Sequence, residues 1–165
     1  MSKQGTTAPG DFSWGVLDGS VGPRARLLRN VLSARSIAVS APFQLPTGAL
    51  TVLALIAANP GSSQSALAGR AGLNKSALVG IIDQLEARGL AARVRSDSDR
   101  RRYRLTVTAA GELMIETLFT AVSREEAPIR EALGARDMTT LLALLDRAIV
   151  ALGGGATETD AGRRD

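Results

Sequence analysis

Two short helical patterns joined by only three residues constrain the fold of this chain more than any other feature. One follows Ser63 in SSQSALAGRAGLN, and the next follows Asn74 in NKSALVGIIDQLEARGL. Ser and Asn side chains accept hydrogen bonds from free backbone amides at a helix start, so both residues are predicted N-caps. Gly72 is predicted to close the first helix, because glycine readily adopts the left-handed conformation that ends helices. The pattern therefore predicts a helix-turn-helix.

A β-hairpin is predicted directly beyond Gly89. In LAARVRS the apolar residues Leu90, Ala92 and Val94 alternate with Arg93 and Arg95, and in RRYRLTV Tyr103, Leu105 and Val107 alternate with Arg102, Arg104 and Thr106. The intervening DSDR has the composition of a turn. Such alternation predicts a hairpin that packs on the domain through one face and exposes arginine on the other. Beside a helix-turn-helix, this hairpin is predicted to be a wing.

Further helices are predicted on both sides of this region. One runs from Pro23 to Ser40 and begins with a proline, which suits the first position of a helix. A second, from Leu50 to Ala58, is apolar almost all round, which is typical of a buried helix. Thr108 is predicted to cap a long helix that Pro128 interrupts.

The last helix is predicted to be capped by Asp137, after Gly134 ends the preceding segment. Its apolar side includes Leu141, Leu145 and Ile149. An apolar helix at the end of a filled domain has few partners left in its own chain, so these three residues are predicted to form a dimer interface.

The predicted fold class is mainly α with a small β-hairpin wing, in a winged helix-turn-helix with N- and C-terminal dimerisation helices. The predicted segments are a flexible N-terminus at 1–15, one folded domain at 16–153 and a flexible tail at 154–165. Within the domain, 45–108 is assigned to DNA binding, whereas the assignment of 16–44 and 109–153 to dimerisation is what the family resemblance described below implies.

Composition excludes several classes of protein. The 165 residues include no cysteine and no histidine, which removes disulfides, thiol sensors and Cys/His metal sites. The chain also lacks a glycine-rich phosphate loop and a motif of paired carboxylates, so we expect no enzyme activity, no cofactor and no metal. No signal peptide pattern or apolar run of membrane-spanning length is present, and we expect a cytoplasmic protein.

Charge is unevenly distributed along the chain. The net charge is +4, but residues 61–111 hold nine basic and four acidic side chains, a net of +5. From residue 112 to the end, six arginines face ten acids, a net of −4. A basic middle third indicates a face that binds a polyanion.

The wing arginines are the strongest candidates for DNA contact. They are Arg100, Arg101, Arg102 and Arg104. Arg101 is expected in the minor groove, and Arg102 and Arg104 on phosphates. Asp99 is expected to orient an arginine, whereas Arg93 and Arg95 flank the cluster. The simpler alternative is a solvated hairpin with local salt bridges.

The helix-turn-helix supplies a second set of candidates. These are Ser63, Gln64, Asn74, Lys75, Ser76, Ala77, Val79 and Gly80. Ser63 and Gln64 begin a helix, where free amides bind phosphates. Asn74, Lys75 and Ser76 are expected to read bases, with Ala77 or Val79 against thymine methyl groups. For Asn74, helix capping is the favoured role and is compatible with DNA contact.

Three motifs in this order resemble the multiple antibiotic resistance regulator (MarR) family. LPTGALTVL resembles the opening of its second helix, SQSALAGRAGLNKSALVGIIDQLEARGL its helix-turn-helix, and DRRRYRLTVTAAG its wing. The family's wing typically reads D-R-R, several residues, L-T, two residues, G. The matching residues are Asp99, Arg100, Arg101, Thr108 and Gly111. Val107 stands where leucine is usual, and Ala77, Val79 and Gly80 stand where polar readers are common.

The resemblance implies a cytoplasmic homodimer that binds palindromic double-stranded DNA and regulates transcription. It also implies a repressor released by a small anionic or aromatic ligand, such as an aromatic acid or an acyl-coenzyme A thioester. Arg24, Arg26 and Arg29 are candidates for an anion clamp, although a solvated face or dimer salt bridges are the favoured explanation. Phe43 is a candidate lining residue, although core packing is its favoured role.

An alternative function is a winged-helix module that binds protein or RNA without a small-molecule effector. A gel shift with the promoter region beside the gene distinguishes the two.

Overall fold

The computed structural model describes residues 13–95 and 103–154 of the chain. Its elements are α1 (Val21–Ser40), α2 (Ala49–Ala58), α3 (Gln64–Ala71), α4 (Lys75–Ala87), β1 (Ala91–Arg95), β2 (Tyr103–Val107), α5 (Ala109–Glu125) and α6 (Ala127–Ala151). Short 3-10 turns occupy Gly15–Leu17 and Ala41–Phe43. The predicted mainly helical fold with one small hairpin is confirmed.

The chain divides into two compact units, residues 1–34 and 35–165, with the boundary inside α1. In the first unit, Ser13 Oγ accepts a hydrogen bond from the Gly15 amide at 3.0 Å. Its described side chains are exposed or half-exposed. The hydrophobic core described below lies in the second unit.

Helix α2 lies at the centre of that core. Ala49, Val52, Leu53 and Ile56 are all buried, with at most 2% of their surface exposed. The helix packs against α3, α4, α5 and β2, so neighbours cover several of its sides. The sequence prediction of a buried helix is therefore confirmed.

The helix-turn-helix forms as predicted because each signal at a helix end is used. Ser63 Oγ accepts from the Ala66 amide at 3.1 Å, and Asn74 Oδ1 accepts from the Ala77 amide at 2.7 Å. Between the helices, Gly72 is left-handed, and its amide donates to carbonyls at the end of α3. Caps of this kind satisfy backbone groups that the helix itself leaves unpaired.

The hairpin is antiparallel, but in strand β1 the buried and exposed faces are exchanged relative to the prediction. In β2, Leu105 is buried and Arg104 is exposed, as the alternation indicates. Residue 93 pairs with Leu105, and Val94 pairs with Arg104. Directly opposed residues share a face, so Arg93 lies on the core side, whereas Val94 is 49% exposed. The apolar face predicted for the first strand is wrong by one residue.

The junction of the hairpin and α5 is closely packed. Thr108 Oγ1 accepts from the Gly111 amide at 3.0 Å and donates to the Gly89 carbonyl at 2.7 Å. A Cβ on Gly111 would stand 2.0 Å from the Leu90 carbonyl oxygen. Only glycine fits there, which gives a physical reason for the threonine and glycine at the end of the wing motif.

The helices after the hairpin break where proline and glycine predict. Helix α5 ends at Glu125, and Pro128 lies in the first turn of α6. Gly134 interrupts α6 with φ 70° and ψ 172°, which lies outside the helical region. Asp137, however, lies beyond the point where the helix restarts at residue 135, so the predicted cap at Asp137 is wrong.

Within residues 13–95 and 103–154, no helix combines the length and apolar character needed to cross a membrane. The same residues contain no group of three or more acidic side chains arranged to hold a metal ion.

Candidate nucleic-acid interface

The first half of α4 presents to solvent the residues that the sequence indicates for base contact. The exposed or half-exposed positions are Lys75, Ser76, Ala77, Val79 and Gly80. The opposite side is held in the core, where Leu78, Ile82 and Leu85 are fully buried. A rigidly anchored helix with small outer side chains can approach a partner closely.

The residues that begin α3 and α4 are partly committed to capping. Ser63 and Asn74 are exposed, but each uses its side-chain oxygen to accept a backbone amide. Gln64, the first residue of α3, is half-exposed. Capping leaves the amide group of Asn74 as a hydrogen-bond donor at the same end of the helix that carries Lys75.

Arg104 is the predicted wing arginine whose side chain the structure describes. It is exposed, and its guanidinium lies against the turn between α2 and α3. The Arg104 Nε atom is 3.5 Å from the point where a Cβ would stand on Gly61. The wing charge therefore lies beside the entry to the helix-turn-helix. Asp99, Arg100, Arg101 and Arg102 lie outside the described residues.

Arg93 has a different environment that the sequence analysis missed. Its guanidinium pairs with Asp83 Oδ1 at 2.8 Å and with Glu86 Oε2, and its backbone amide donates to Glu86 Oε1 at 2.9 Å. The hydrogen bond to Asp83, followed by the nearby negative charges, raises the pKa of Arg93 despite partial burial. The sequence signal for this contact was the spacing of Asp83 and Glu86, because two acids three residues apart lie on one face of a helix and can pair with the same arginine.

The candidate anion-binding arginines differ in their surroundings. Arg24 pairs with Asp18 at 3.1 Å and stacks on Trp14, with 4.7 Å between the guanidinium carbon and the ring centroid. Arg26 and Arg29 are exposed. Arg24 is thus engaged by Asp18 and Trp14, and Arg29 donates a hydrogen bond to Asn30 Oδ1 at 3.3 Å.

Phe43, the candidate lining residue, is half-buried and packs against the hydrophobic core. Its carbonyl accepts a hydrogen bond from Arg88, which also donates to the Gln44 carbonyl at 3.0 Å. Arg88 follows the last residue of α4. The loop before α2 is therefore tied to the end of α4.

The candidate dimerisation residues lie on α6, in which no residue is fully buried within its own chain. Leu141 is half-buried, whereas Leu145 and Ile149 are 40% and 46% exposed. Other large apolar residues of α6, including Leu142 and Leu144, are also exposed.

Comparison with known proteins agrees with this arrangement. A family model described as MarR family matches residues 43–102. A curated relative, the "Putative transcriptional regulatory protein for hcr operon" of Thauera aromatica, is 39% identical over 100 residues. That alignment covers 61% of this chain and 60% of the relative, so the chain spans less than two thirds of that protein.

Solved structures match over a longer part of the chain. The transcriptional repressor CouR bound to a 23-mer DNA duplex is 31% identical with a TM-score of 0.71, covering 84% of this chain and 98% of CouR. CouR bound to p-coumaroyl-CoA is 29% identical with a TM-score of 0.66, over 86% and 98%. NadR in complex with 4-hydroxyphenylacetate is 26% identical with a TM-score of 0.67, over 87% and 96%.

These proteins share with this chain the mainly helical fold and its two-stranded wing. The Thauera aromatica relative and CouR are described as a transcriptional regulatory protein and a transcriptional repressor, which agrees with the prediction that this chain is not an enzyme. The winged helix-turn-helix, the family model and the likeness to CouR over nearly its whole length agree, and the chain belongs to the MarR family of transcriptional regulators.

Proposed function

We propose that this chain is a homodimeric, sequence-specific DNA-binding regulator that acts in the cytoplasm, represses its target genes and releases DNA when a small anionic or aromatic ligand binds. The observation that carries the proposal is the exposed first half of α4, a helix whose other side is anchored in the core, while Arg104 of the hairpin lies exposed against the turn before α3. A helix with this exposure can enter the major groove while a basic hairpin meets the neighbouring backbone.

Helix α4 is the proposed reading element. Lys75 is suited to a phosphate or a guanine, and Asn74 and Ser76 to hydrogen bonds with base edges. Ala77 and Val79 can contact thymine methyl groups, and Gly80 lets the backbone approach. Ser63 and Gln64, at the start of α3, are proposed to bind a phosphate through free backbone amides.

The wing is the proposed source of affinity for the DNA backbone. Arg104 is exposed next to the turn at Gly61, which supports a phosphate contact on that side of the helix-turn-helix. Arg100 and Arg102 are proposed to contact the backbone and Arg101 to enter the minor groove, oriented by Asp99.

The dimer is proposed to form through the helices at the two ends of the folded domain. We assign 45–108 to DNA binding and 16–44 and 109–153 to dimerisation, with Leu141, Leu145 and Ile149 in the interface. Exposed leucines on α6 support this assignment, because monomeric proteins seldom expose large apolar patches. A two-fold dimer would bind a palindromic operator, with one recognition helix in each half-site.

The effector is proposed to be an aromatic acid or its coenzyme A thioester. CouR is described as bound to p-coumaroyl-CoA and NadR as complexed with 4-hydroxyphenylacetate, both aromatic compounds with anionic groups. Arg26 and Arg29 are exposed and supply positive charge, with Arg24 and Phe43 as further candidates. The ligand must bind the DNA-free shape more tightly than the DNA-bound shape in order to release DNA.

The DNA proposal is tested by fluorescence anisotropy with a duplex of the intergenic region beside the gene. Arg104→Ala is expected to weaken DNA binding. It should also reduce the magnitude of the slope of log binding constant against log salt concentration by about 1, which is the change expected for one lost phosphate contact. Arg130→Ala is the matched control, because Arg130 is an exposed arginine of α6 paired with Glu126. Equal slopes for both variants would contradict the role of Arg104.

For Arg101, removal to alanine is expected to weaken binding by roughly 1–3 kcal/mol. A wild-type chain that binds no duplex, yet captures RNA or a protein, would favour the alternative winged-helix function instead.

The effector proposal is tested by screening aromatic acids and their coenzyme A thioesters for release of the bound duplex. A true effector is expected to lower DNA affinity about 5- to 150-fold. Arg26→Ala and Arg29→Ala should then require more ligand for the same release. Unchanged release in both variants would show that these arginines are solvated surface charges.

A further inference from the structure

One arginine, Arg93, connects the first strand of the wing to the recognition helix α4. Arg93 of β1 reaches Asp83 and Glu86 of α4 with its guanidinium, and its backbone amide donates to Glu86 as well. Three polar contacts therefore join two elements that follow each other through the turn at Gly89. The side chains of Arg93 and Glu86 are 30% and 24% exposed, whereas the side chain of Asp83 is 57% exposed.

This contact is stronger than an isolated surface ion pair. Exposed single pairs contribute little, because solvent and salt screen them and because ordering two long side chains costs entropy. Here a rigid guanidinium bridges two carboxylates, and one of those carboxylates also binds backbone. A planar fork of donors suits such a bridge better than a single ammonium group does.

The location of Asp83 connects the bridge to DNA. Asp83 is four residues after Val79 and three after Gly80, so it continues the same face of α4 by one turn. A carboxylate on that face would repel phosphates unless its charge were balanced. The Arg93 guanidinium, which is always protonated, supplies positive charge at 2.8 Å from Asp83 Oδ1.

The packing of β1 explains why Arg93 points this way. Residue 93 pairs with buried Leu105, so its side chain begins on the core side of the hairpin. The long stem can lie along apolar surface while the charged end reaches the edge of α4. Arg104 belongs to the opposite face, where its charge is exposed.

We propose that Arg93 is a positioning residue for DNA binding, which acts by holding the wing in a fixed orientation on the recognition helix and by offsetting part of the negative charge of Asp83 and Glu86, rather than by contacting DNA. The inference rests on the proposed function, in which α4 and the hairpin bind one duplex together. If the hairpin were free to tilt at Gly89, the two elements would reach their grooves independently, and ordering them on DNA would cost affinity.

A double-mutant cycle tests this inference with the full-length chain and the intergenic duplex. Arg93→Met is expected to weaken DNA binding about tenfold, a typical coupling for charged neighbours. In the Asp83→Asn/Glu86→Gln background the same change should weaken binding less than about twofold, because the bridge is already absent. A full tenfold loss in that background would show that Arg93 acts on DNA directly and would overturn the inference.

Two further variants separate positioning from phosphate contact. Arg93→Met should leave the salt slope of binding close to that of wild type, whereas Arg104→Ala should lower it. Arg93→Lys keeps the charge but not the fork, so it should recover less than half of the lost affinity. Complete recovery by lysine, or a slope reduced as far as in Arg104→Ala, would overturn the proposal.

Hydrogen exchange of the wing supplies a readout without DNA. Glu86→Ala should speed exchange of the Arg93 amide, because it removes the carboxylate oxygen that accepts this amide in the wild type. Unchanged exchange would overturn the idea that the bridge fixes β1.

Thermal unfolding checks that each variant folds. If Arg93→Met does not fold, Arg93→Lys and the Asp83→Asn/Glu86→Gln variant still test the inference. A wild-type chain that binds no duplex would overturn the proposed function, whereas wild-type affinity in Arg93→Met would overturn this inference alone.

Discussion

Helices α2 and α6 are both rich in alanine and leucine, yet they differ completely in burial. Four residues of the ten-residue α2 are buried, whereas none of the 25 residues of α6 is. Helix α2 is surrounded by α3, α4, α5 and β2, whereas α6 packs mainly against α5. An apolar helix sequence therefore predicts that the helix will be buried against another surface. It does not predict whether that surface belongs to the same chain or to a partner.

The same difference separates two kinds of function. The region around α2 is completed within one chain, so it can hold α4 and the hairpin in fixed positions. The exposed leucines of α6 are suited to a second copy, which would make the arrangement of two DNA-binding regions depend on the dimer. Four predictions test this division, beginning with the largest expected effect.

The core around α2 should be the most sensitive to truncation. Leu53 is fully buried, so Leu53→Ala is expected to lower the free energy of unfolding by about 2–5 kcal/mol through lost burial and a cavity. Val150→Ala on α6 is the contrasting change, because Val150 is 69% exposed, and it should alter stability by less than about 0.5 kcal/mol. Urea unfolding at one fixed chain concentration measures both, and similar losses would contradict the division.

Helix α6 should instead be sensitive to charge on one side. Leu145→Glu is expected to weaken the proposed dimer by about 2–4 kcal/mol, because its single two-fold interface would receive two charges, one from each protomer. Val150→Glu is the matched control, since five residues rotate the helix by about 140° from Leu145. Sedimentation over a range of concentrations measures the dissociation constant. Equal weakening by both variants would mean that the interface is not on the Leu141, Leu145 and Ile149 side.

Sequence alone predicted the parts of the fold whose signals are local. Ser63, Asn74 and Thr108 begin helices because their side chains accept a nearby amide, and this needs no distant partner. The faces of the first wing strand were wrong because they depend on tertiary structure. Arg93 turns to the core side where Asp83 and Glu86 receive it, and Val94 is exposed in its place. The dimer and the effector stay predictions, because both need molecules beyond one chain.

Glycines in the two regions should respond to the same substitution for different reasons. Gly111→Ala is expected to cost about 1–3 kcal/mol, because the new Cβ would clash with the Leu90 carbonyl and Val107. At Gly134 in α6 a Cβ would meet nothing within 4 Å, but φ is +70°. Gly134→Ala should therefore cost about 1–3 kcal/mol through backbone strain alone, because φ 70° with ψ 172° is a conformation that is essentially restricted to glycine. Unfolding free energies of the two variants measure both losses, and an unchanged stability in Gly111→Ala would contradict the close packing at Gly111.

The caps should give the smallest effect and separate two roles of one residue. Asn74 caps α4 through its side-chain oxygen, whereas Glu126 at the start of α6 makes no side-chain cap. Asn74→Ala is therefore expected to lower stability by about 1 kcal/mol. Glu126→Ala should change it by only a few tenths of a kcal/mol, because its pair with Arg130 is exposed.

Asn74→Ser tests the base-reading role of the same position. Serine caps a helix about as well as asparagine, so thermal unfolding of this variant should match the wild type. It lacks the amide donors and acceptor that would read a base, so weaker binding to the intergenic duplex, with stability unchanged, would assign DNA contact to Asn74 in addition to capping. Wild-type affinity in Asn74→Ser together with a stability loss in Asn74→Ala would assign the residue to capping alone. Base recognition by α4 would then rest on Lys75 and Ser76, helped by the small side chains that follow them.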